Sequence, residues 1–565
     1  MSISMIPVLL VRTYLDRCTL TFGVSPCTAT GAVCSNTYST CRDRANYTAS
    51  AYERTYTQMD APLPGQSSLE RPYVSRVNLL PTEISDSLTV SGRLKVEMAD
   101  DYTDGVSYWR RHFALNRNFK GRELRVLEGN FSVAGWFEGG WFEGGWFAGA
   151  LEERFWGELV NVQYESNRVI IEAADPLKGL DDVDIPAKSE VKLAATINNS
   201  QTTITLTSSD EIQAAPSYVV IGDELVRYAA VDSDRNQITG CTRGAEGTEA
   251  DEHNENTKVQ PCHYFAPDNP FDVLQSMLTD LAGISSARVD TTAWAYWRDW
   301  PETDLDVEAI IWRPTSLRQL YFELVELMDC RSWVSEEQKI TIRRNLPNVP
   351  GREYYELSDE NSFILGSTNV DIDEKERLTK VAVYWDPVGL YEEGEPTLYS
   401  SLIVVADADA ESANEYNGII SKDIYCRWLN YGLGTEEDLE TYVTGLAGRI
   451  LARRRDALEK LQVLVHPKDA AVLTGSYVLV TTSELYNPFT GATLSNQAFM
   501  VTRRQIQTNG LIELEMVRQS YNRICFVAPD ATPDYDDADA DDKEYGFIWS
   551  TDLLTPEAYR PYTIY

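Results

Sequence analysis

Histidine is scarce in this chain: its 565 residues include only His112, His253, His263 and His466. That leaves little material for imidazole catalysis, and the motifs that would flag it are missing too. There is no G-x-S-x-G, no H-E-x-x-H, no Walker loop and no G-x-G-x-x-G. We therefore expect a protein that is not an enzyme and four histidines with structural or surface roles. Long apolar runs are also missing, and none reaches the ~18 residues that a membrane-spanning helix needs. The opening "MSISMIPVLLVRTYLDRC" has an apolar stretch but neither a basic n-region nor a small-residue cleavage site. We read no signal peptide and expect assembly in a cytoplasm. Positive charge is in short supply, with 50 Lys and Arg against 87 Asp and Glu and a net charge of −37. Nucleic-acid binding that depends on neutralising phosphates is disfavoured by that balance.

What is present is strand-forming sequence. Apolar residues make up 43% of the chain, and 31 Tyr and 13 Trp suit strands and polar contact surfaces. At this length about three to five domains are expected. The runs "LTVSGRLKVEM", "GRELRVLEGNF", "FWGELVNVQYE" and "NRVIIEAAD" are short, β-rich and bounded by turn residues. They define a strand-rich region over 76–185, after a cysteine-rich N-terminal segment, 1–75. A small β module follows over 190–265, with four or five short strands. An α/β segment spans 266–350. Its first helix should be capped by Asn269 with Pro270 at N1. Its second has Ser316 and Gln319 at capping-box spacing and Leu317, Leu320, Leu324 and Leu327 on one face. A second strand-rich region, 351–530, is interrupted by a helix from about Thr435 to Glu459, apolar at Leu439, Val443, Leu446 and Ile450. An acidic extension, 531–565, ends the chain. The fold class is mainly β with α+β segments.

Three local features carry competing readings. The acidic run at 534–542 lacks the glycine and glutamate of an EF-hand loop and reads as a solvated loop. Arg449, Arg453, Arg454 and Arg455 form a positive stretch, which either pairs with the protein's own carboxylates or makes an intersubunit surface. The repeat "GWFEGGWFEGGWFAG" places Trp136, Phe137, Trp141, Phe142, Trp146 and Phe147 at a period of five, which fits neither strand nor helix. Its flanks read as neighbouring strands, ending near Phe131 and beginning near Phe155, so the repeat should be a long hairpin tip. Its aromatics either pack on the protein itself or meet a partner. Glu138 and Glu143 make deep membrane insertion expensive.

Four of the nine cysteines, Cys18, Cys27, Cys34 and Cys41, lie close together at C-x8-C-x6-C-x6-C spacing. Two disulfides, a zinc site and an iron–sulfur cluster all compete for them. Four thiols on one short turn-rich tether meet a metal's needs at small loop-closure cost. The C-x2-C pairs of zinc ribbons and bacterial ferredoxins are missing. A reducing cytoplasm argues against early disulfides. The chemistry of the residues leaves iron–sulfur and zinc open.

The run "CTLTFGVSPC…VCSNTYSTCRD..NY" resembles the N-terminal signature of tail-tip hub proteins of long-tailed, siphovirus-like bacteriophages and gene transfer agents. "ITGCTRGAEGTEADEHNENTKVQ" is similar to a small β module of phage structural proteins. "DEKERLTKVAVYW" and "SYNRICFVAPDATPDYDD" are similar to the tail-hub pattern. The resemblance implies a [4Fe–4S] cluster held by Cys18, Cys27, Cys34 and Cys41, with zinc as the alternative, and Cys241, Cys262, Cys330, Cys426 and Cys525 should not be ligands. It implies two hub β-barrels per chain, in the strand-rich regions, and a homotrimer at the tail tip of a virion. That trimer would close the tube, adapt six-fold to three-fold symmetry, anchor the central fibre and receptor-binding assembly, and take part in DNA ejection. Its partners would be the distal tail protein, the central fibre and other tail-tip proteins and the tape-measure protein. No sequence-specific nucleic acid is implied, and contact with the host envelope would be transient. The rivals are a tail-associated cell-wall hydrolase and an iron–sulfur redox protein.

Overall fold

The computed structural model describes residues 5–519, apart from 31–33, 59–72, 80, 85–92, 104, 133–135, 138–139, 142–145, 300–304, 346–353, 393, 414, 488–490 and 508–510. Cys525 and the acidic run at 534–542 lie outside the described residues. The protein is mainly β, and the chain divides into two compact units.

The first unit comprises 1–82, 89–180 and 334–340. Its centre is a seven-stranded sheet of β1 (Met5–Cys18), β2 (Ala49–Thr57), β3 (Val74–Asn78), β4 (Arg93–Ala99), β5 (Glu123–Ser132), β6 (Trp146–Tyr164) and β7 (Arg168–Ala174), in the order β2-β1-β5-β6-β7-β4-β3. All its ladders are antiparallel. The N-terminal strand was hard to see in the sequence, because β1 breaks strict alternation: Leu10 and Val11 are adjacent and both fully buried. β1 and β2, on either side of the cysteine-rich loop, both join this sheet. Helix α1 (Tyr108–Leu115) was not expected. Ser107 caps it, its hydroxyl accepting from the Arg110 N–H at 3.1 Å. Trp109 and Phe113 drop from one face of α1 into the core with Val11, Tyr56, Leu94, Val126 and Ile171. Gly157 on β6 has room for nothing larger, because a Cβ there would lie 2.2 Å from the Ala174 carbonyl oxygen.

β5 and β6 pair up to Ser132 opposite Trp146. The flanks of the aromatic repeat are thus neighbouring strands, as expected, but β6 begins at Trp146 and takes the last repeat unit into the ladder. Residues 136–137 pair with 140–141 as a short antiparallel ribbon. The packing of the repeat's aromatic side chains lies outside the described residues.

The second unit comprises 83–88, 181–333 and 341–565. The small module has six strands in two three-stranded sheets. Thr203–Thr205, Gln237–Thr239 and Ala230–Asp232 form one, and Glu224–Tyr228, Ser217–Ile221 and Val259–Pro261 the other. Leu193, Ile204, Val219, Val226 and Ile238 fill the space inside. Asn269 caps the next helix through the Phe271 N–H at 3.0 Å, with Pro270 at its first position. In α2 (Leu317–Leu327) the expected leucine face is buried, but the capping box does not form. The Ser316 hydroxyl is buried without a partner, and Gln319 turns along the helix to Glu323 at 2.8 Å.

A second seven-stranded sheet is built from β8 (Tyr355–Ser358), β9 (Asn369–Asp373), β10 (Leu458–Val465), β11 (Tyr477–Tyr486), β12 (Thr493–Ile506) and β13 (Ile512–Arg518), in the order β8-β11-β12-β13-β10-β9, with Thr82–Glu83 pairing to β12. β8 and β11 run parallel, and the ladders along β11-β12-β13-β10-β9 are antiparallel. Helix α3 (Glu436–Arg454) starts at Thr435, whose hydroxyl accepts from the Asp438 N–H at 3.2 Å, and buries Leu439, Val443, Leu446 and Ile450. It stops five residues short of the expected end, where Leu458 already pairs in β10. The arginines at its end pair internally. Arg449 and Arg453 both hold buried Asp329, at 3.3 and 2.7 Å; Arg454 meets Glu376 at 3.2 Å; Arg455 meets Asp407 and Asp456. The positive stretch is absorbed by the protein's own carboxylates.

Candidate functional site: a loop of four thiols

Cys18 is the last residue of β1 and stands opposite Ala49, the first residue of β2. The Thr19 N–H donates to the Thr48 carbonyl at 3.0 Å and closes the base of a 30-residue connection. All four cysteines hang on this base, so the sheet fixes where the loop leaves and returns. Each is half-buried and carries a free thiol.

Inside the loop, short polar bridges do the folding. The Cys18 N–H donates to the Asn36 carbonyl at 2.7 Å, and the Asn36 N–H donates to the Cys34 sulfur at 3.3 Å. Asn36 can turn the chain here because it takes a left-handed conformation, φ +57°, which asparagine tolerates better than most residues. Cys41 follows a single 3-10 turn, its N–H donating to the Tyr38 carbonyl at 3.2 Å. Two residues later Asp43 reaches back to the neighbour of Cys27. Its carboxylate accepts from the Thr28 N–H at 2.6 Å and the Thr28 hydroxyl at 2.8 Å, and from the Asn46 amide. The Thr28 amide, then Asn46 and the Thr28 hydroxyl, hold the Asp43 carboxyl below the usual carboxylate range. The Ser39 hydroxyl donates to the Leu115 carbonyl and fastens the loop to the end of α1.

These contacts lace the surroundings of all four cysteines into one segment. Among the described residues, no three His, Cys, Asp or Glu side chains converge on a point where a metal ion would sit. The donor set nevertheless suits a thiolate-bound group, and one further atom fits it. The Tyr47 hydroxyl is buried without a hydrogen-bond partner. Burial raises its pKa first, then the negative fields of Asp16, Cys18 and Cys41, with Arg122 opposing. An unspent O–H donor in the field of two cysteines is the kind of group that hydrogen-bonds to cluster or thiolate sulfur. Sequence reasoning singled out the cysteines but missed Asn36, Asp43 and Tyr47. The only signal was their position between and just after the cysteines.

The remaining cysteines that are described, Cys241, Cys262, Cys330 and Cys426, are buried. Burial pushes the Cys426 thiol up to about 12 and the Cys241 thiol up to about 11, which keeps both protonated. The histidines are dispersed. His112 lies among Tyr108, Trp109 and Phe113; His253 hydrogen-bonds to Glu224 at 2.8 Å; the His263 and Phe265 ring centres are 4.5 Å apart, edge to face; His466 precedes a short 3-10 turn.

No protein-family model matches this chain, and no curated protein is significantly similar to it. Solved structures with some likeness include the prophage MuSo2 43 kDa tail protein from Shewanella oneidensis, at 11% identity and TM-score 0.34, covering 80% of this chain and 96% of that one. The prophage tail protein gp18 from Listeria monocytogenes EGD-e has 11% identity and TM-score 0.33, covering 80% and 91%. The tail protein from Neisseria meningitidis MC58 has 9% identity and TM-score 0.35, covering 80% and 94%. Likenesses of this size establish neither a shared fold nor a shared role.

Proposed function

We propose that the chain is a structural subunit of a phage-like virion, a hub at the distal end of the tail that closes the tube and anchors the central fibre and receptor-binding assembly. The observation that carries this reading is the presence of two seven-stranded sheets in one chain, one per compact unit. It agrees with two hub barrels per subunit, which the resemblance of the four-cysteine run implies. Three copies would then present six similar barrels to a six-fold tube while keeping a three-fold axis below, closed by heterologous contacts. The distal tail protein, the tape-measure protein and the central fibre are the neighbours in this reading, and the role is assembly and DNA passage, not catalysis. Acidic side chains along the channel would repel phosphates and let the genome slide.

Within the hub, Cys18, Cys27, Cys34 and Cys41 hold a [4Fe–4S] cluster, with the Tyr47 hydroxyl as its hydrogen-bond donor. When bound, the cluster supplies a cross-link across the loop between β1 and β2. The native mass of the isolated ring tests the assembly: three copies are expected, and six would overturn the two-barrel argument. Metal analysis of protein prepared without oxygen tests the cluster. Zinc without iron, or intact disulfides among the four cysteines, would sink it.

A further inference from the structure

On the thiol loop lies an open surface hollow of about 480 Å³, lined by Tyr38, Ser39, Thr40 and Arg44 of the loop and by Ala114, Arg117 and Asn118 around the end of α1, with Tyr38, Arg44, Ala114, Arg117 and Asn118 exposed. Two cations face it in a protein of net charge −37. The contrast with other arginines is sharp. Arg243, Arg453 and Arg455 each hold carboxylates, whereas neither Arg44 nor Arg117 pairs with one among the described residues. The Arg44 guanidinium lies over the Tyr38 ring, 5.0 Å from its centre. A ring positions the cation without cancelling its charge. The nearest carboxylate in sequence, Asp43, is already engaged by Thr28 and Asn46. The Ser39 and Thr40 hydroxyls, whose protons go to the Leu115 and Thr37 carbonyls and whose oxygens can still accept, and the Asn118 amide also line it.

We propose that this hollow binds a small polyhydroxylated oxyanion, a phosphate- or carboxylate-bearing molecule of about sugar size. Arg44 and Arg117 clamp the anion, and Ser39, Thr40 and Asn118 meet its hydroxyls. The volume falls in the range of small-ligand sites and exceeds what a lone inorganic ion would fill. Forked guanidinium donors suit both phosphate and carboxylate, so the site by itself does not choose between those sources. The inference is independent of the tail reading, and it places Tyr38, Ser39, Thr40 and Arg44 on the same loop as Cys41.

The test is calorimetric titration of the full chain with glucose 6-phosphate, glucuronate, inorganic phosphate and a short single-stranded oligonucleotide. Saturable binding of glucose 6-phosphate or glucuronate is expected, and the better of the two identifies the anion. Binding should weaken by at least about tenfold in Arg44→Gln/Arg117→Gln, as the loss of charge-assisted hydrogen bonds implies. Arg117 is exposed, so Arg117→Gln alone serves if the double variant unfolds, and Asn118→Ala should weaken the sugar ligands while sparing inorganic phosphate. Absence of saturable binding, preference for the oligonucleotide, or equal affinity in the arginine variants would overturn the proposal.

Discussion

Glu224 is 1% exposed, and its carboxylate is the hub of the small module. It accepts from the Arg243 guanidinium at 2.6 and 2.7 Å, from His253 at 2.8 Å, and from the backbone of Gly244 and Asp251. Burial alone would raise its pKa, but hydrogen bonds from Arg243, His253 and the two amides outweigh it and leave it depressed. Glu224→Gln should destabilise the module by about 3 kcal/mol, because a buried guanidinium then loses its counter-charge; chemical denaturation of the full chain reads this out. His112 acts through the opposite kind of group with the same sign. Burial, then the positive fields of Arg54 and Arg17, draws its pKa down to about 3 from the usual 6.5. The unfolded state therefore binds more protons in that window. Stability is intact above about pH 6.5 and falls as the pH drops from there towards 3, by up to about 1.4 kcal/mol per unit. Denaturation at pH 7 and pH 5 should show the loss, and His112→Phe, set among aromatic neighbours, should reduce it. An identical pH dependence in that variant would refute the assignment.

Among the elements, α3 depends on both its ends. Thr435 caps the start, and Thr435→Ala should cost about 1 kcal/mol. Asp329 receives Arg449 and Arg453 near the other end, so Asp329→Ala should cost about 3 kcal/mol or more by leaving those cations without their buried partner. The ordering of the two losses is the check, and a larger effect from the cap would contradict the geometry. The β5–β6 ribbon makes a different prediction. Its pairing runs from Glu123–Glu158 out to Ser132–Trp146, and the described residues 136–137 and 140–141 pair with each other in the connection between the two strands. Deleting 136–147 should leave the first sheet folded, as judged by circular dichroism and melting, while weakening tail-tip assembly. Normal assembly after the deletion would show that the aromatic repeat is no interface.

For the whole molecule, two units with separate sheets should unfold as separate calorimetric transitions. A group that binds only the folded thiol loop stabilises the unit that contains it. Loading the protein with iron and sulfide under anaerobic conditions should therefore raise one transition and leave the other unmoved. Substituting Cys27→Ser and Cys34→Ser should abolish that shift. A rise in both transitions, or the same rise in the substituted protein, would place the metal elsewhere.

The sequence alone determined the elements whose side-chain pattern is local. The strands around "NRVIIEAAD", the leucine faces of α2 and α3, the Asn269–Pro270 helix start and the turn-bounded strands of the small module follow from periodicity and caps that a few neighbouring residues supply. It also marked the four cysteines, because their closeness along the chain needs no fold to be noticed. Tertiary structure decided the rest. β1 broke the alternation rule because Leu10 and Val11 are both buried, and burial of neighbours depends on what packs from each side. The Ser316–Gln319 box stayed open because Gln319 turned to Glu323 instead of the cap. The arginines at the end of α3 and just past it went to Asp329, Glu376 and Asp407, partners far away along the chain that no local pattern names. The same holds at the thiol loop, where Asp43 reaches Thr28 and Asn36 reaches Cys18. Such contacts join residues the chain keeps apart, and only the closure of β1 against β2 brings them within hydrogen-bonding distance.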